Sequence, residues 1–92
     1  MFYGKRITVT LKVENEMIEY VQRAFPEAKI LKRVPAPAHT LMEVKVTGEE
    51  GILKWLLSQK DDIEVLAPQS LRDKIQQAIK NMARLYHLKM NE

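Results

Sequence analysis

Residues 6–13 change character at every position: Ile7, Val9, Leu11 and Val13 fall on one side, Arg6, Thr8, Thr10 and Lys12 on the other. A repeat of two is that of a β-strand, and one apolar side means one buried face. The strand, read from Lys5 to Val13, therefore belongs to a sheet with a core on one face only.

The rest of the chain follows from that commitment. Met17, Ile18, Val21 and Phe25 recur at helical spacing, which predicts a helix capped by Asn15 and stopped by Pro26. Lys29 to Val34 reads as a second strand, and Thr40 to Thr47 as a third with Met42, Val44 and Val46 inward. Between them, Pro35-Ala36-Pro37-Ala38-His39 is expected to be a stiff extended loop at the tip of a hairpin, because two prolines remove backbone donors. Glu49 and Glu50 open a second helix, where carboxylates favour the positive end of the backbone dipole. Asp61-Asp62 turns into a fourth strand, Ile63 to Leu66, and Pro68 opens a third helix for which Ser70 and Asp73 have capping-box spacing. That helix carries Leu71, Ile75, Ile79, Met82 and Tyr86 along one side.

The order is strand, helix, strand, strand, helix, strand, plus a terminal helix. The expected fold is α+β: a ferredoxin-like βαββαβ sandwich at residues 5–66 with an added C-terminal helix at 68–90, all in one domain spanning 1–92. Ninety-two residues suffice for one two-layer core and leave no room for a cleft between domains. The third helix is in excess of a complete sandwich, so its stripe either wraps its own domain or meets a partner.

Little in the chain points to catalysis. There is no cysteine, which excludes thiolate chemistry and suits a cytoplasmic home. His39 and His87 have no ligand partner at metal-site spacing. The stretch Gly48-Glu49-Glu50-Gly51 puts carboxylates where a phosphate loop needs positive potential. Ser58 and Ser70 have no neighbouring histidine as base. No cofactor is expected, no apolar run approaches a membrane span, and Met1 to Arg6 lacks the pattern of an export signal. A net charge of +3 comes from intermixed signs, Lys5, Arg6 and Lys12 being answered by Glu14, Glu16 and Glu19. The two central strands carry no aromatic on which a base could stack. Trp55, next to Leu56, reads either as rim packing or as a partner contact, and the end of the last helix, Leu85 and Tyr86, is the second candidate interface.

The run Ile52-Leu53-Lys54-Trp55-Leu56-Leu57-Ser58, then Ile63-Glu64-Val65-Leu66-Ala67-Pro68, then Ser70-Leu71-Arg72 resembles the C-terminal extension (WCX) domain of WYL-domain bacterial transcription regulators. Ile7 to Leu11 and Val44 to Val46 fit as well. The chain departs from the family where Gln59-Lys60 stand in place of a frequent glycine, and where Pro35 to His39 replace a tight hairpin turn. The resemblance implies a fragment of a longer regulator. An N-terminal winged helix-turn-helix would bind DNA, a WYL domain would sense a nucleotide or short nucleic acid, and this domain would dimerise and gate the sensor without catalysis. Arg72 is then the candidate anionic contact, a guanidinium at a helix start being an odd choice beside the positive dipole end, with a salt bridge to a nearby acid as the plainer role.

Two other classes stand beside that reading. One is a free-standing small-molecule sensor of ACT-like topology, with its ligand at a subunit interface. The other, an acylphosphatase-type enzyme, would use Asn15 after the first strand, but no cradle of glycines or basic residues surrounds it.

Overall fold

The computed structural model describes residues 6–89. Strand β1 is Ile7–Val13, followed by a 3-10 turn at Asn15–Met17 and helix α1, Ile18–Ala24. The hairpin β2, Lys29–Pro35, and β3, Ala38–Val46, comes next. Helix α2, Glu49–Leu57, strand β4, Ile63–Ala67, and helix α3, Gln69–Leu85, complete the chain. The sheet order is β2-β3-β1-β4, and every neighbouring pair is antiparallel. Each of the two strand–helix–strand units thus straddles a strand of the other, which is the ferredoxin-like arrangement.

Period-two patterning sets the core. Val9, Leu11 and Val13 of β1, Met42 and Val44 of β3, and Ile63 and Val65 of β4 pack with Ile18, Val21, Ile52, Leu56 and Leu71 from the helices in one cluster. The alternate residues of β1, Thr8, Thr10 and Lys12, pair across to Lys45, Glu43 and Leu41 on the open face. Strand β2 is an exposed edge, with Leu31 half exposed at a bulge. Its Lys29, Lys32 and Arg33 suit an edge that must resist pairing with other chains.

Four expectations need correction. Asn15 does not cap a helix: Glu14 precedes a 3-10 turn and α1 starts at Ile18. The Asn15 side chain instead accepts a 2.9 Å hydrogen bond from the hydroxyl of Thr40, which is fully buried and whose donor has to be satisfied. Pro35 to His39 is not an extended loop. Pro35 pairs with Ala38 and Val34 with His39, and the chain reverses over Ala36-Pro37, whose peptide bond is cis. The capping box is not made either, because α3 begins at Gln69, two residues earlier than that box requires, with Pro68 as its N-cap, and Ser70 turns to Glu49 while Asp73 accepts from Gln69. Finally, α3 ends at Leu85 and not at residue 90, since His87 adopts a left-handed φ of 59°. Lys5 and Met90, the expected outer limits of β1 and α3, lie outside the described residues.

The end of α3 is a Schellman motif. The Leu88 amide donates to the Ala83 carbonyl at 2.8 Å and the His87 amide to the Arg84 carbonyl at 3.1 Å. The left-handed position usually belongs to glycine, and a side chain there is disfavoured. Lys60, after α2, has the same φ of 59°. Lys60→Gly and His87→Gly are each expected to raise stability by about 0.5–1 kcal/mol. A urea-denaturation midpoint that did not rise in either variant would contradict that assignment.

Candidate functional site

Helix α3 has two unlike halves. Its first half is fastened to the sandwich, where Leu71 is fully buried and Ile75 packs against the core. Polar bonds set its position: the Ser70 hydroxyl donates to Glu49, at 2.5 Å, and the Lys74 ammonium reaches Glu49 at 2.8 Å and Glu50 at 3.1 Å. The bonds from Lys74, and then from Ser70, hold the Glu49 carboxyl below its usual 4.5. The Lys74 ammonium is in turn raised above 10.5, chiefly by its hydrogen bonds to Glu49 and then Glu50. Ion pairs open to solvent are screened and contribute little to stability, so burial of Leu71 is the anchor and the charges fix the angle of approach.

Arg72 belongs to the same fastening. Its Nη1 donates to the Val65 carbonyl at 2.5 Å and pairs with Glu64 at 3.3 Å, which ties the first turn of α3 to β4. The salt bridge weighed from sequence is present. Nη1 is committed, and the rest of the guanidinium fork keeps donors beyond those two bonds.

The second half of α3 overhangs: Ala83 is buried, but its larger apolar side chains are exposed. Ile79 is 42% exposed, Met82 48%, Leu85 75% and Tyr86 72%, and Leu88 in the capping turn is 65% exposed. On a helix, positions 75, 79, 82 and 86 share a side, so these residues continue the stripe that Leu71 starts inside the core. Beside the overhang lies a groove of about 560 Å³ between the end of α2, β4 and α3. Its apolar lining includes Leu56, Leu57, Ile63, Ile75, Ile79 and Met82, and Lys60, Asp61, Glu64 and Arg72 also border it.

Trp55 sits elsewhere. Its ring stacks on Tyr20 of α1, with centroids 6.0 Å apart and planes 11° apart, and meets Phe25 edge-on at 4.9 Å. That aromatic cluster joins α1 to α2 and borders a second hollow shared with Gly48 and Ile52. The structure therefore brings Leu85 and Tyr86 together with Ile79 and Met82, and leaves Trp55 and its aromatic neighbours apart from them. Leu88 escaped the sequence reading because it lies past the helix, outside the 3.6-residue period. Its signal is the Schellman pattern, in which the residue after the left-handed one is commonly apolar.

Among the described residues, no group of three His, Asp or Glu could hold a metal ion, and no helix is long and apolar enough to cross a membrane. The model of the WCX domain family matches residues 5–83, which takes in the whole sandwich and most of α3. The chain belongs to the WCX domain family. In this WCX domain the match stops two residues short of Leu85, so the fastened half of α3 is family-like and its most exposed side chains lie outside the matched stretch. No curated protein matches the chain.

Proposed function

We propose that this WCX domain is the C-terminal regulatory module of a WYL-type, DNA-binding bacterial transcription regulator, and that it works by assembly and not by catalysis. The observation that carries the reading is the overhang. A helix with Leu71 in the core and Leu85, Tyr86 and Leu88 largely in solvent presents more apolar surface than its own domain covers. Contiguous exposed apolar surface of this kind marks interaction sites.

In the regulator, the WYL and helix-turn-helix parts of the same full-length chain would supply effector sensing and DNA contact, and this domain would bring two such chains together in the cytoplasm. An anionic effector, a nucleotide or short nucleic acid, would meet the domain at Arg72. That residue sits where β4, the groove and α3 converge, so a ligand competing for its guanidinium would also loosen the seat of α3.

Assembly through a folded surface stabilises the folded state by mass action. The melting temperature of the chain is therefore expected to climb as its concentration is raised a hundredfold. A melting temperature independent of concentration would count against the reading.

A further inference from the structure

We propose that the groove beside α3 is filled by the α3 overhang of a second copy of this chain, the two helices running antiparallel about a twofold axis close to Met82. The inference rests on the assembly reading above and specifies its geometry.

Groove and overhang belong to the same helix. The concave part is bordered by Ile75 and Ile79 and the convex part is formed by Leu85, Tyr86 and Leu88, with Met82 between them. An isologous contact needs one patch that complements itself after a half-turn. An antiparallel pair centred on Met82 sets Leu85 of one helix against Ile79 of the other, and Leu88 near the start of the partner's groove. The same half-turn fills the second groove, so the contact closes at two copies.

Area agrees with that occupant. Ile79, Met82, Leu85, Tyr86 and Leu88 at their observed exposures offer on the order of 600 Å² of surface per copy, the upper end for the largest patch on a monomer. Doubled across a twofold axis, that is roughly 1,200 Å², the lower limit of stable specific interfaces. The border of the groove carries Lys60 and Arg72 beside Asp61 and Glu64, and Glu64 is paired with Arg72, so its charges balance and the fit of the overhang is an apolar one.

The absence of cysteine makes the geometry testable by single-cysteine oxidation. Met82→Cys is expected to form a disulfide-linked dimer at least tenfold faster than Gln77→Cys, which lies off the stripe. Because Met82→Cys could itself weaken the pair, an equimolar mixture of Ile79→Cys and Leu85→Cys chains is oxidised in parallel and is expected to give the mixed dimer in preference to either homodimer. Light scattering on the unmodified chain separates the failures. A dimer in solution without preferential cross-linking in either experiment overturns this geometry and leaves the assembly reading standing. A monomer at every concentration overturns both.

Discussion

Leu71→Ala is expected to lower the stability of the domain by about 3 kcal/mol or more, within the range of roughly 2–5 kcal/mol for removing a fully buried leucine. Leu71 has no exposed surface and lies in the cluster that joins the sheet to α2. It is also the first α3 side chain to enter the core, and the bonds from Ser70, Arg72 and Lys74 depend on the seat it provides. For a domain with a total of about 5–10 kcal/mol, such a loss is a large fraction of what holds it folded. Ile79→Ala, eight residues along the same stripe but 42% exposed, should cost the monomer less than about 1 kcal/mol. Urea denaturation of both variants at a concentration too low for association tests the contrast, and equal losses would mean that α3 is seated along its whole length.

The second large effect reverses the pattern. Joint substitution Leu85→Lys and Tyr86→Lys is expected to weaken self-association at least tenfold, about 1.4 kcal/mol, while the folding of the monomer changes by no more than about 0.5 kcal/mol. The two side chains are 75% and 72% exposed, so the isolated fold gains little from them. Lysine is chosen because cations at a helix C-terminus suit the backbone dipole and should not unwind the last turn. Across a twofold interface the same lysines bring like charges together and remove the apolar anchors. Sedimentation velocity reads association and the urea midpoint reads folding. Loss of both together would show that the end of α3 supports the fold and not a contact between chains.

Much of the architecture is legible in the chain because most of it is local. The alternation over Ile7 to Val13 specifies which face of β1 is buried, and the same parity in Met42 and Val44 places β3 beside it. Element order then leaves the ferredoxin-like topology, and the run from Trp55 to Arg72 points to the family that the match over residues 5–83 shows. The local expectations that failed did so where a side chain found a distant partner. Asn15 has good capping chemistry, yet the buried Thr40 hydroxyl claims its oxygen across the fold. Ser70 has capping-box spacing, yet its hydroxyl donates its hydrogen bond to Glu49, twenty-one residues away. Pro35 to His39 has the composition of an extended loop, yet the ladder with β2 continues to Pro35 and Ala38.

The candidate site was legible only in part. The stripe of α3 shows in its period, and Leu85 and Tyr86 can be named from it. How far along the helix the core ends is a tertiary property, decided by where α2 and β4 stop. The groove is of the same kind, since Leu57, Glu64 and Met82 have no relation in sequence. Arg72 illustrates the limit from the other side: a guanidinium in the first turn is visible in the sequence, but its bond to the Val65 carbonyl depends on how α3 folds back along β4.

Light scattering on the chain over a concentration series reaching hundreds of micromolar reads its self-association directly. The expected mass rises from that of the 10.7 kDa monomer toward twice that value, while a Leu85→Lys, Tyr86→Lys chain stays at the monomer mass over the same range. A monomer at every concentration in the unmodified chain, or a dimer indifferent to those two substitutions, would contradict it.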